Sequence, residues 1–158
     1  MSQRPFCLND LNAILAQANQ RQQALALPYA GALTPIEAWA LWQARPLEVQ
    51  LIDVRTSAEL EFVGRIEQAR HIAWKTYPGM QSNPEFLIQL HAQVEPTQTV
   101  LFICRTGGRS HEAAAAAANA GYAYSYNVLE GFEGRQNSLQ QRGQVDGWQA
   151  AGLPWIQN

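Results

Sequence analysis

The apolar residues of this chain fall into two alternating spacings. Val49–Val54, Val100–Ile103 and Tyr124–Leu129 are short runs rich in β-branched and aromatic residues, the composition of buried strands. Ala69–Trp74 is a shorter run of the same kind. Between these runs the spacing widens to three or four. Leu8, Leu11, Ile14, Leu15, Ala18 and Leu25 predict an amphipathic helix over Leu8–Leu25, with Asn9 or Asp10 as its start signal. Thr34-Pro35-Ile36-Glu37 is a capping box with proline at the first helical position, and its helix should run to about Gln43. Thr56-Ser57-Ala58-Glu59 is a second capping box. Asn83-Pro84-Glu85 starts a helix ending near Val94. From Ser110, an unbroken Ala113–Ala118 predicts a helix that Gly121 closes. Pro28–Ala32 reads as a connector and Tyr77-Pro78-Gly79 as a turn. Strands alternating with helices predict an α/β domain with a mainly parallel central sheet. In such sheets ligands gather outside the carboxyl ends of the strands.

Composition narrows the classes. At 158 residues the chain has room for one domain with a real core. We divide it into an N-terminal helical extension over 1–32, read as a strap in preference to a partner helix, and a domain over 33–158. The formal net charge is −2 and no basic block occurs, which gives no support to a nucleic-acid or anionic-membrane partner. No apolar run approaches membrane-spanning length and no secretory signal is visible. The two cysteines, Cys7 and Cys104, are expected to be reduced, which implies a cytoplasmic setting. Cys7 has no glycine or basic neighbours and receives no role. The scattered His and Cys residues offer no metal-ligand spacing, so neither metal nor cofactor is expected. Trp39 and Trp42, three positions apart on one predicted helix, are assigned to the core.

The chemistry concentrates at Cys104-Arg105-Thr106-Gly107-Gly108-Arg109-Ser110. Cys104 stands where a buried strand ends, and a tight glycine loop carries the chain into a helix. Loop amides and a helix N-terminus present N–H groups and positive potential. A thiol held there is expected to ionise readily. Arg105 and Arg109 add positive charge, and Thr106 and Ser110 add hydroxyl donors. Such a cradle suits one anionic sulfur, or an oxyanion attached to it. Asp53, at another strand end, is expected to pair with a nearby arginine or with loop backbone. Arg55 should leave the sheet on the ligand side, and His71 is assigned a structural role.

This loop resembles the active-site loop of the rhodanese family, in which a catalytic Cys heads a six-residue loop before a helix. Leu51-Ile52-Asp53-Val54-Arg55 with Glu59 resembles the family's "DVR" strand and its following Glu. Gly64–Ile72 resembles its "GHIPGAxHI" segment, with departures at Arg65, Glu67 and Gln68. Leu129-Glu130-Gly131 and Gly147-Trp148 through Pro154 resemble its C-terminal signature. The resemblance covers about Leu33 to Trp155. It implies a three-layer rhodanese-like domain and a sulfurtransferase in which Cys104 carries sulfur as a persulfide. The loop residues Arg105 to Ser110, with Arg55, would bind substrate.

The implied partners are a small anionic sulfur donor, such as thiosulfate, and a thiol or cyanide-like acceptor, with a protein sulfur acceptor as a further option. The oligomeric state is left open. Two alternatives remain. One is a sulfur carrier or docking module without turnover. The other is a phosphatase or arsenate reductase, disfavoured because related phosphatases use a loop one residue longer, whereas Ser110 stands where their Arg belongs. The chain also departs from the family between Glu133 and Asp146, where residues look inserted. They are either a plain surface loop or a border of the pocket with Arg135 or Arg142 near its entrance.

Overall fold

A computed structural model of the chain describes residues 8–158. The absence of a role for Cys7 therefore lies outside the described residues. The amphipathic pattern at the start forms α1 (Leu8–Leu25), which turns Leu11 and Ala18 into the core. The stretch expected as a connector, Pro28–Ala32, runs into β1 (Gly31–Leu33), a strand whose three residues are all buried. Three residues are too few to show an alternating pattern. β1 crosses the 32/33 division, and it anchors the N-terminal segment to the main sheet by parallel pairing of Gly31–Leu33 with Tyr126–Val128.

Both capping boxes form. Thr34 caps α2 (Pro35–Ala44) and Thr56 caps α3 (Ser57–Phe62), each threonine and its Glu satisfying the other's backbone N–H. Between them lies β2 (Val49–Asp53). The run at 69–74 contributes only β3 (Arg70–His71), although Ile72 and Trp74 go on donating to the Asp53 and Val54 carbonyls. A small antiparallel pair follows, β4 (Lys75–Thr76) and β5 (Gln81–Ser82), joined through the Tyr77-Pro78-Gly79 turn. Next come α4 (Phe86–Gln93), β6 (Thr99–Ile103), α5 (Gly108–Asn119), β7 (Tyr124–Val128) and α6 (Gly147–Ala150). α5 begins at Gly108, two residues before the expected start.

Five strands form one parallel sheet in the order β1-β7-β6-β2-β3. Strand alternation sorts side chains between its two faces. Leu101 and Ile103 of β6 join Leu41, Trp42, Phe132 and Trp148 on one face. Val100, Phe102 and Cys104 share the other with Phe86 and Leu90 of α4 and with Ala113, Ala114 and Ala117 of α5. The alanine run thus lets α5 lie close against the sheet. β2 and β6 pair from Val49↔Thr99 to Asp53↔Ile103, so they end level at one edge. No helix among the described residues is long and apolar enough to cross a membrane.

Trp148 anchors the C-terminal segment. Its side chain is fully buried, Nε1 donates to the Pro154 carbonyl at 2.9 Å, and its ring meets Trp39 edge-on at 5.9 Å. Trp148→Ala should cost ~3–5 kcal/mol, the usual loss on deleting a buried aromatic. Denaturant unfolding followed by circular dichroism measures it, and a loss below about 1 kcal/mol would contradict an anchoring role.

Candidate active site

Cys104 is the first residue past β6 and is 1% exposed. Two donors reach its sulfur: the Gly107 amide at 3.1 Å and the Ser110 hydroxyl at 3.3 Å. Gly107 makes the first contact possible. It caps α5 with φ 109°, the left-handed region where a Cβ is strained, and this turns its N–H back toward the strand end. Ser110, buried in the first turn of α5, also contacts Asn127 Oδ1 of β7 at 2.6 Å. Arg105 and Thr106 are exposed at the rim, and Gly108 opens the helix.

A second strand of chain clamps the loop from behind. Phe132 and Glu133 donate their amides to the Cys104 and Arg105 carbonyls at 2.8 and 3.0 Å. Gly131 lies so close that a Cβ there would stand 2.5 Å from the Arg105 carbonyl atoms and 2.6 Å from the Cys104 oxygen. Only glycine fits.

Arg109 does not point free into the site. Nη1 and Nη2 donate to the two oxygens of Glu59 at 2.7 and 2.9 Å, a bidentate pair. Burial alone would lower the Arg109 pKa, but the hydrogen bonds and charge of Glu59, then the charges of Cys104 and Asp53, raise it. Arg109 thus supplies positive potential from a fixed position. Glu59 responds in kind. Burial pushes its carboxyl up, yet Arg109 and the Thr56 amide and hydroxyl outweigh burial and hold it at about 2.

Arg55 occupies a different place from the one expected of a substrate-binding residue. It is fully buried, donates to Asp53 at 2.8–3.2 Å and to the Gly64 carbonyl at 2.8 Å, and stacks 4.1 Å above the Phe132 ring. Nε and Nη2 are engaged by Asp53 and the Gly64 carbonyl, while Nη1 is buried without a hydrogen-bond partner among the described residues. His71 Nε2 bonds the Arg55 carbonyl at 2.6 Å, which fits a structural histidine.

A cavity of about 500 Å³ opens beside the loop. Arg105, Arg109 and Glu133 line its polar side, and Phe62, Val63, Tyr77 and Met80 its apolar side. Glu133 is the one inserted residue in this lining. Burial pushes its carboxyl up, against the pull of Arg105. Arg135 instead pairs with Asp146 at 2.8 Å, and Arg142 donates to the Gly134 carbonyl at 2.8 Å. The root of the insertion borders the site, and neither arginine lines it. Among the described residues no three His, Cys, Asp or Glu side chains group as a metal site.

Several of these residues escaped sequence reasoning. Asn127 carried a signal: in Tyr-Ser-Tyr-Asn-Val, Ser125 and Asn127 occupy alternate positions of a strand too apolar to leave them exposed. Glu59 was visible as a cap, but its second partner lies 50 residues away. The apolar wall comes from a helix end and a hairpin whose juxtaposition no local pattern records.

The Glu59–Arg109 pair makes stability depend on pH with a definite sign. Glu59 titrates lower when folded than its ordinary 4.5, so the pair contributes fully above about pH 4.5 and is lost as pH falls through about 2. Glu59→Gln should cost ~1 kcal/mol at pH 7 after allowance for solvent screening. The gap from the parent should close as unfolding is measured toward pH 2; a gap that is constant with pH would contradict the ion-pair account.

A family model described as a rhodanese-like domain matches residues 35–138. The structure of Rv0390 from M. tuberculosis is 39% identical, with a TM-score of 0.76 over 82% of this chain and 99% of that one. The fold is shared with a 30 kDa polysulfide-sulfur transferase homodimer from Wolinella succinogenes, at 22% identity and TM-score 0.58 over 95% of this chain and 92% of that one. It is shared too with a protein of unknown function from Rhodopseudomonas palustris described as a possible tyrosine phosphatase, at 21% identity and TM-score 0.53 over 98% of this chain and all of that one. The strand-end cysteine, its glycine loop and the family match over most of the sheet lead to one assignment: the chain belongs to the rhodanese-like domain family.

Proposed function

We propose that this protein is a sulfurtransferase in which Cys104 carries sulfane sulfur from a thiosulfate-like donor to a thiol or cyanide-like acceptor. The observation that carries the reading is the size and content of the cradle. Gly107 and Ser110 bring their donors within 3.1 and 3.3 Å of a single sulfur atom. Four residues separate Cys104 from Arg109, and Arg109 is held to the rim by Glu59. A small ring of donors suits one sulfur better than a tetrahedral phosphate, which weighs against the phosphatase alternative.

In the first half-reaction the Cys104 thiolate attacks the outer sulfur of the donor. A new S–S bond forms, the donor's S–S bond breaks, and its electron pair leaves with sulfite. The product is a Cys104 persulfide. In the second, the acceptor attacks the outer sulfur and displaces the Cys104 thiolate, which completes the cycle without net oxidation of the protein. The Gly107 amide and Ser110 hydroxyl stabilise sulfur charge in both, as preorganised donors do. Arg105, exposed at the rim, suits the anionic end of the donor. The apolar wall of Phe62, Tyr77 and Met80 suits the organic body of a thiol acceptor.

Cys104→Ser should abolish both cyanide-dependent turnover of thiosulfate and the one-sulfur mass gain after donor exposure, whereas Cys7→Ser should retain both. Persulfide formation without turnover would identify a carrier; release of phosphate from an aryl phosphate with no sulfur loading would revive the phosphatase. Arg105→Ala should raise the thiosulfate KM about tenfold to a hundredfold, the value of a charge-assisted contact. Arg109→Ala should chiefly lower kcat by releasing the loop, and Arg109→Lys should not restore it, because a point charge lacks the bidentate fork. Parent-like kinetics in both alanine variants would refute the anionic-donor argument.

A further inference from the structure

The Ser110 hydroxyl has one proton and two acceptors for it. Its Oγ lies 2.6 Å from Asn127 Oδ1 and 3.3 Å from Cys104 Sγ. The other end of the Asn127 amide fixes which atom faces Ser110. Nδ2 donates to the Gly107 carbonyl at 3.3 Å, and a rotated amide would set oxygen against oxygen there. Behind Asn127 stands Tyr29, delivered by the N-terminal segment and held 2.7 Å from His111 Nδ1 of α5. Burial raises the Tyr29 pKa, with Asn127 as the neighbour that opposes the rise. Oδ1 is therefore committed to accepting from Ser110. Ser110 and Asn127 are both buried, so an unpaired Oδ1 has no water to turn to.

We propose that Asn127 is a positioning residue that holds the Ser110 hydroxyl proton while Cys104 is a neutral thiol and yields it to sulfur when the thiolate forms. No covalent bond changes; the hydroxyl turns about its own C–O bond. In the thiol state the chain of donors runs from S–H to Ser110 and on to Asn127. In the thiolate state Ser110 joins Gly107 in donating to sulfur, and Oδ1 loses its short partner. Asn127 Oδ1 and Cys104 Sγ thus compete for the single Ser110 proton. The same turn of Ser110 would serve a persulfide anion, a step that rests on the sulfur-transfer reading above.

Other charged groups also stand near the sulfur. They are Arg109 with Glu59 at the rim, Asp53 with Arg55 at the end of β2, and Arg105 in the loop. Glu133, lining the cavity beside the loop, and the Tyr29–His111 pair against α5 are further titratable groups on this side.

The test is the pH dependence of iodoacetamide alkylation of the full chain, read at the Cys104 peptide by mass spectrometry. Asn127→Leu should move the midpoint of the rate–pH curve down by about one unit, which reads as roughly tenfold faster alkylation below the midpoint. Ser110→Ala should move the midpoint up, and in the Ser110→Ala background the downward shift caused by Asn127→Leu should be lost. Should the leucine variant not fold, Asn127→Ala removes the same acceptor with less bulk, and its downward shift should likewise depend on Ser110. A midpoint shift of the same size with and without Ser110, or none in any variant, overturns the proposal. Uniform slowing at every pH, the result of mere loosening, overturns it too. No sulfur donor is present in this assay, so it and the sulfur-transfer reading fail separately.

Discussion

One carboxylate ties the local grammar of this chain to its long-range architecture. Glu59 Oε1 accepts from the Thr56 amide and hydroxyl, closing the cap of α3 at 3.1 and 3.0 Å. The same carboxylate receives the Arg109 fork from across the sheet edge. The first set of bonds is determined by neighbours in sequence. The second joins the segment after β2 to the segment after β6. β2 and β6 end level, so the two loops leave the sheet side by side, and the pair forms wherever that register forms. Arg109 gains a fixed position from this at the expense of free contact with a ligand. A positive charge whose place does not change can favour charge on sulfur without reorganising during reaction.

Below the pair lies a second ionic contact with a different role. Asp53 and Arg55 are 2% and 0% exposed, so neither charge can rely on water. Such pairs gain little over apolar packing, but losing one partner is costly because the other is left buried and charged. Here Arg55 also stacks on Phe132, and Phe132 donates its amide to the Cys104 carbonyl. The buried pair, the ring and the clamp on the loop are thus contiguous.

The architecture was largely legible in the sequence because its signals are local. Helix caps at Thr34 and Thr56, the apolar runs of β2, β6 and β7, and the alanine face of α5 each occupy a few consecutive residues, and each formed within a residue or two of expectation. Cys104, Gly107 and Ser110 were legible for the same reason. What escaped was set by tertiary pairing. β1 is three residues long and is a strand only because β7 lies beside it. Arg55 carried the right charge at the right strand end, but its direction was decided by Asp53 and Phe132. The expected entrance arginines of the insertion turned to Asp146 and to the Gly134 carbonyl.

The insertion itself shows how length and position are separated in this fold. Its root is held before it begins: Gly131 packs on the Arg105 backbone, and the Phe132 and Glu133 amides bond the Cys104 loop. Its far end is held as well, since Trp148 donates its amide to the Gly131 carbonyl at 2.9 Å and buries its ring beneath. The two ends therefore meet at Gly131, and the residues between close a loop whose entropy grows only slowly with length. Extra chain can accumulate there without disturbing Cys104. The single inserted side chain that the root carries into the cavity is Glu133, two residues past that junction. A change of loop length thus leaves the sulfur cradle intact, while a change at the root alters the charge that an approaching ligand meets.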